Sequence, residues 1–356
     1  MTNKPSKQKG VALIIVLMIV AIVSILATEM GSRLQLQIKR ASNIKDNNQA
    51  YWYAMSAEQY ARKSIRDLAE NDRDLIYLDQ AWNQEYVFPV DGGGIEAKLI
   101  DMQSCFNLNA LRDPGGTSNN NTGAGAGANT TSNSGTNSNT GTNSGSNSQT
   151  NLPDRIVAFQ RLLELVEGDI PTYNVETIRD SLVDWLDEDD QSTQLGAEDG
   201  EYESRQFPYL PANNFLAHKS ELRLIHGVEV QWLEKLLELV CVLPNDSLFL
   251  INVNTVTEEN AAVIGAATGL SLADAQSVIA NRGPEGYQDT NDFLAEPSIT
   301  ALPLSDEQKE WFDVTTSYFK LHTRTKFNNA TFAMQSVLKI NEDNSVSVVS
   351  REFSGF

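Results

Sequence analysis

The chain has 356 residues, with 47 acidic side chains against 27 basic, a formal net charge of -20 and 41% hydrophobic content. So acidic a molecule repels phosphate backbones, and its Lys and Arg are scattered rather than clustered, which excludes nucleic acid as a partner. The length calls for two or more folded units besides any anchor or linker.

Residues 1–10 carry Lys4, Lys7 and Lys9 and no acid. Val11 to Ala27 then run without a charge, Ser24 being the one polar residue. At ~1.5 Å per residue this helix would cover roughly 25 Å, enough to cross a bacterial inner membrane. The positive-inside rule keeps residues 1–10 in the cytoplasm and sends the rest outward, so residues 11–28 are assigned as a single transmembrane segment with the bulk of the chain in the periplasm. A secretory signal would end its apolar core at small residues and a cleavage site. Here no Pro follows between Glu29 and Arg66, and the one Gly is Gly31. Ala50, Tyr53, Ala54, Ala57, Ala61 and Ile65 recur at helical spacing, which implies one long helix, half in lipid and half packed on a domain.

Glu85–Pro89 and Ile95–Gln103 have strand composition, with Gly92, Gly93 and Gly94 as the turn between them. Cys105 and Cys241 are the two cysteines. Outside the cytoplasm they either form a disulfide or remain two thiols. A large insert separates these strands from the end of the chain. It opens with a tract of Ser, Asn, Thr, Gly and Ala, residues 115–151, that cannot bury enough apolar area to offset ordering entropy and reads as a disordered loop. Helical periodicity follows at Leu152–Val166, Val175–Leu186, Ser220–Ile225 and Val230–Val242, and again at Thr257–Thr268, Leu272–Arg282 and Asn291–Leu294. Two helical subdomains, 106–246 and 247–304, account for these. Thr315–Lys326, Thr331–Ile340 and Ser345–Phe353 alternate apolar and polar residues across Asn-rich turns and read as an antiparallel meander within 305–356.

The densest chemistry lies between Asp184 and Tyr202. Asp184, Asp187, Glu188, Asp189, Asp190, Glu198, Asp199 and Glu201 repel one another unless something positive sits among them, and only Arg205 is close in sequence. Either the loop is simply solvated or it holds a hard cation through oxygen ligands, calcium before magnesium, although the spacing is not that of an EF-hand. Ile251–Thr255, the turn Thr268-Gly269-Leu270-Ser271 and the helix ending at Arg282 resemble a helix-hairpin-helix. Glu258, Glu259 and Asp274 would repel DNA there, so its use is structural. His218, His226 and His322 lack metal-ligand spacing, and no nucleophile motif or phosphate loop occurs, so no enzyme activity is expected.

The junction Lys9-Gly10-Val11-Ala12-Leu13 resembles the leader of prepilins and pseudopilins. That resemblance implies cleavage by a prepilin peptidase after Gly10, an N-methylated Val11, and a pseudopilin fold of class α+β, a long N-terminal helix on an antiparallel sheet spanning 29–105 and 305–356. Most of that family carry Glu at the fifth mature position, where it neutralises the amine of the subunit ahead. Here the position is Ile15, as in the minor pseudopilin K of type II secretion systems. The acidic segment, with Tyr202, Tyr209, Pro211-Ala212-Asn213 and Ser220-Glu221-Leu222-Arg223, is similar to the helical insert of the K proteins, which is built of SAM-like and helix-hairpin-helix-like subdomains and binds calcium in the domain that carries this segment. By that resemblance Asp187, Asp189, Asp190, Glu198 and Asp199 are the oxygen donors, with Glu188 and Glu201 in reserve. It further implies a non-enzymatic tip subunit that starts and caps a periplasmic fibre. Its partners would be pseudopilins I, J and H, the major pseudopilin G, the inner-membrane platform, the secretin and exported cargo. The rivals are a minor type IV pilin with adhesive function and a membrane-anchored, calcium-dependent periplasmic enzyme.

Overall fold

The computed structural model describes residues 11–112, 152–166 and 170–354. The leader through Gly10 and the tract 115–151 lie outside the described residues. In chain order, helix α1 runs Val11–Asn71, with no Pro to interrupt it. Strands β1 (Tyr86–Val90), β2 (Gly93–Asp101) and the short β3 (Phe106–Asn107) follow. Then come α2 (Asp154–Leu165), α3 (Thr172–Leu186), α4 (Asp199–Glu203) and α5 (Val230–Leu239). Two more short strands, β4 (Val240–Cys241) and β5 (Ile251–Asn252), precede α6 (Ala262–Thr268), α7 (Leu272–Asn281), α8 (Thr290–Leu294), α9 (Pro297–Thr300) and α10 (Asp306–Lys309). The chain closes with β6 (Phe312–Asp313), β7 (Tyr318–Phe327), β8 (Ala330–Ile340) and β9 (Val346–Ser354). The expected α+β composition is met.

The chain divides into two compact units. The first contains α1, residues 81–100 and residues 319–356. Its sheet has the order β1-β2-β7-β8-β9, with β1–β2 and β8–β9 antiparallel. The distal half of α1 lies on β8 and β9. Its buried face is Ala50, Ala54, Ala57, Ala61, Ile65 and Leu68, three- and four-residue steps that draw a stripe down one side of a helix. The alanines let the helix backbone approach the sheet. Set into this seam is Glu58, fully buried, accepting from Arg351 Nε (2.6 Å), Arg351 Nη2 (2.8 Å) and Ser336 Oγ (2.7 Å). Burial alone would raise its pKa, but the Arg351 guanidinium and the Ser336 hydroxyl outweigh it and hold the carboxyl below its ordinary range.

The turn between β1 and β2 is Asp91-Gly92, narrower than the three glycines the sequence offers, because Gly93 and Gly94 pair with Val90 and Pro89 inside the ladder. Gly93 is needed for closeness rather than bending: a Cβ there would overlap the carbonyl of Lys326 on β7. Gly92 supplies the turn, with φ +84°.

The second unit comprises residues 72–80 and 101–318. The halves expected on either side of Leu243–Ser247 share one core here: α2 lies on α6, and Leu165 Cδ1 stands 2.9 Å from where a Cβ on Gly265 would be. Phe106, Phe249 and Trp311 pack in series, the first pair tilted and the second edge-to-face, at ring separations of 4.7 and 5.0 Å. Two short parallel pairings, β3 with β4 and β5 with β6, tie distant segments together. Three buried asparagines satisfy the irregular backbone around them. Asn107 Nδ2 donates to Asp246 O and Leu248 O, Asn109 Nδ2 to Leu216 O and Leu243 O, and Asn252 Nδ2 to Ile76 O and Thr316 Oγ1. Cys105 and Cys241 form a disulfide beside the β3–β4 pairing, with Cα atoms 5.7 Å apart.

Some elements are shorter than their periodicity suggests. Ser220–Ile225 is a 3-10 turn over Lys219–Leu224, capped by His218, whose ring accepts from Ser220 N (3.1 Å). The α5 pattern stops at Leu239 because Val240 and Cys241 leave to pair with β3. Thr315–Ser317 precede β7 rather than joining it, since Asp313 Oδ1 and Oδ2 accept from Thr315 N and Oγ1 and hold that segment in a turn.

Candidate metal centre

The acidic segment is built where α3 ends. Asp180, Asp184 and Asp187 fall at steps of four and three along this helix, hence on one face near its C-terminal end. Carbonyl groups already make that end negative, so three carboxylates there are unfavourable without a counter-charge. The segment after Asp190 folds back over them: Thr193 N donates to both oxygens of Asp184 (3.1 Å each) and Leu195 N to Asp180 Oδ2 (3.2 Å). This strap delivers Glu198, the residue capping α4, to the same place.

Ligand oxygens of Asp184, Asp187 and Glu198 all lie within 4.8 Å of one another. Asp184 is fully buried and Glu198 is 7% exposed. Neither carboxylate oxygen of Glu198 has a hydrogen-bond partner, nor does Oδ1 of Asp187. A buried carboxylate with no donor is costly, and among the described residues no ion pair reaches these three, Arg112 acting on Asp187 only at a distance. Arg112 is drawn instead to the exposed Glu188 (2.6 Å) and Arg179 to Asp180 (2.6 Å). Arg205, the one basic residue near in sequence, lies over the rings of Tyr202 and Tyr209 and donates to Leu224 O (3.1 Å). Burial, then the charges of Asp184, Asp187, Asp190 and Asp199, pushes Glu198 up to about 7. Burial likewise raises Asp184 to about 6 and, with Asp189 beside it, lifts Asp187.

Of the five expected donors, the structure brings Asp187 and Glu198 together. Asp189 and Asp190 are exposed on the loop, where Asp189 Oδ1 accepts from Gln191 N (2.8 Å), and Asp199 is half-buried in the first turn of α4. One group not in that set joins the site: Asp184, read from the sequence as part of the motif but not as a donor. On the neighbouring loop, Asn213 Nδ2 donates to Asp189 O (3.4 Å) and Asp190 Oδ1 (3.3 Å), leaving a buried Oδ1 without a partner. Its backbone has φ +44°, a conformation Asn tolerates better than most residues. The donor set is therefore all carboxylate oxygen, on a helix end and on the strap that folds back over it. That chemistry fits a hard divalent cation, and the loop-borne spacing suits calcium over the tighter octahedron of magnesium.

The other candidate sites are simpler. Val11 opens α1, while Gly10 lies outside the described residues. An 18-residue window of α1 has a mean hydropathy of 3.1 with none of it buried, and Ile15 is exposed within that apolar surface. In the hairpin, Gly269 has φ +86° and the α7 cap is Ser271, accepting from Asp274 N (3.2 Å). Arg282, the one cation read there, turns inward and donates to Val253 O (2.6 Å) and Val256 O (3.0 Å). It is engaged by backbone rather than offered to phosphate.

Profiles of the family described as type II secretion system (T2SS), protein K match residues 104–245 and 251–315. The chain is 32% identical to the type II secretion system protein K of Aeromonas hydrophila over 97% of both chains. It is also 32% identical to that of Dickeya chrysanthemi over 98% of both. Among solved structures it resembles a chain of the GspK-GspI-GspJ complex from enterotoxigenic Escherichia coli, with a TM-score of 0.71 and 28% identity, covering 89% of this chain and 100% of that one.

Proposed function

The chain belongs to the type II secretion system protein K family, minor pseudopilins of that system, and from this premise we propose that it forms the tip of the periplasmic fibre. It is a single-pass, membrane-anchored protein with a pseudopilin-type fold. The observation that carries the tip reading is Ile15: the apolar helix has no carboxylate to meet the amine of a subunit ahead, so it can lie in lipid with nothing above it. Cleavage after Gly10 and methylation of Val11 belong to the same reading. The solved relative was crystallised with GspI and GspJ, and the equivalent pseudopilins I and J are the partners proposed here. Pseudopilins H and G, the secretin and cargo would meet the subunit later in fibre growth. The role is structural rather than enzymatic, and the comparisons favour neither the type IV pilin nor the calcium-dependent enzyme.

We further propose that calcium is held by Asp184, Asp187 and Glu198. When bound, the ion would supply the missing counter-charge at the end of α3 and fasten the strap over it. Gold labelling of assembled fibres tests the tip role. Label at one end only is expected, label along the shaft overturns it, and an Ile15→Glu variant should shift label inward. Melting with millimolar calcium or with chelator tests the ion. A higher Tm with calcium, lost in Glu198→Gln, is expected, and equal curves overturn it.

A further inference from the structure

Between the apolar span and the sheet, α1 is bare. Every residue from Val11 to Lys45 is exposed, and burial begins at Asp46. From Met30 to Lys45 this stretch holds Arg33, Lys39, Arg40 and Lys45 and no acid, in a chain of net charge -20. The acid just before it, Glu29, is ion-paired with Arg33 one turn on. The hydroxyls beyond the apolar run are closed on the helix itself. Thr28 Oγ1 donates to Ser24 O (2.9 Å) and Ile25 O (2.8 Å), and Ser32 Oγ to Thr28 O (3.0 Å). Groups satisfied in this way present no unmet polar atom to hydrocarbon. Uncharged, lipid-compatible helix thus reaches from Val11 through Thr28, roughly 27 Å, and the Glu29–Arg33 pair sits at the edge of a hydrocarbon core ~30 Å thick.

With the outer boundary at Glu29, Arg33 falls among the headgroup phosphates. Lys39 and Arg40 stand about 10 Å further along the axis, about one Debye length at physiological salt. Lys45, roughly 18 Å beyond Arg33, is out of reach. We propose that Arg33, Lys39 and Arg40 form a collar that binds anionic phospholipid headgroups of the outer leaflet and sets the depth at which the subunit rests before it joins a fibre. The collar is continuous with the span and opposite in charge to such lipids, and it rests on the single-pass anchor described above. A Lys or Arg near an anionic surface contributes about 1 kcal/mol, roughly five-fold in affinity.

The test uses the full-length chain in nanodiscs of phosphatidylcholine with or without phosphatidylglycerol, followed by native mass spectrometry of retained lipid. Selective retention of phosphatidylglycerol is expected, falling at least ten-fold in an R33Q/K39Q/R40Q variant and kept in R33K/K39R/R40K. Melting of the variant at the wild-type temperature excludes a folding defect. Equal retention by wild type and the Gln variant overturns the collar. So does loss of co-purifying pseudopilins from the Gln variant with lipid retention intact, which would make the stretch a protein contact. A chain that inserts in neither composition overturns the anchor, and the collar with it.

Discussion

At Gly196 there is no room for a side chain: a Cβ would overlap Asp184 Oδ2 and crowd Thr193 Oγ1. Gly196→Ala must therefore move the strap or the carboxylate beneath it. It is expected to cost about 1–3 kcal/mol, the range of an overpacked site, and to abolish any calcium-dependent rise in Tm, both measured by calorimetry. Asp101 sits apart from that site, wholly buried, with Oδ2 accepting from Thr255 Oγ1 (2.5 Å) and Thr316 Oγ1 (2.6 Å) and Oδ1 from Gln103 N (2.7 Å). Burial outweighs these bonds and raises it to about 6. A folded-state value above the unfolded 3.8 means that the folded protein binds the proton more tightly, so its contribution is largest at low pH. It declines as pH rises from about 4 to about 6. Asp101→Asn should flatten that decline, by on the order of 3 kcal/mol, in urea titrations with calcium saturating. The sequence marked the acidic segment, but it could not single out Asp184. What sets that carboxylate apart is its burial beneath the strap, which spacing does not reveal.

At the scale of elements, α1 docks to its sheet through alanines and one ion pair. Arg351→Ala would leave Glu58 charged and buried, and a loss of roughly 3 kcal/mol is expected from equilibrium unfolding, with Glu58→Gln/Arg351→Met far milder. The disulfide closes a loop of 136 residues, and Cys105→Ser/Cys241→Ser is expected to lower stability by about 5 kcal/mol in the chain-entropy model. Helices α1, α2, α3 and α7 and strands β7 to β9 were legible because each carries its own period and its own turn residues. The pairings β3–β4 and β5–β6 were not. Two-residue strands have no period, and their partners lie far along the chain.

Over the molecule, charge is divided as sharply as fold. Residues 72–80 and 101–318 carry 36 acidic and 11 basic side chains, a net of -25. The remainder carries 11 acidic and 16 basic, a net of +5, which completes the -20 of the chain. Self-repulsion on that scale weakens a compact unit and is screened by salt. Without calcium, the Tm of the acidic unit should therefore rise with sodium chloride; calcium should raise it further at matched ionic strength if it occupies a site rather than merely screening. A flat salt response would show that the charges are too dispersed to matter. The acidity was plain in the composition, but its segregation required knowing that residues 101–318 form a single unit.

Helix α1 has 61 residues, no proline, and one glycine, which meets nothing within 4 Å. A continuous helix of that length is a rod roughly 90 Å long, and its one Gly/Ser step, Gly31-Ser32, lies just beyond the apolar run, where Ser32 Oγ donates back to Thr28 O. With no proline to break it, unbroken backbone ties the foot of the helix to the sheet, and any bend along the way belongs at that step.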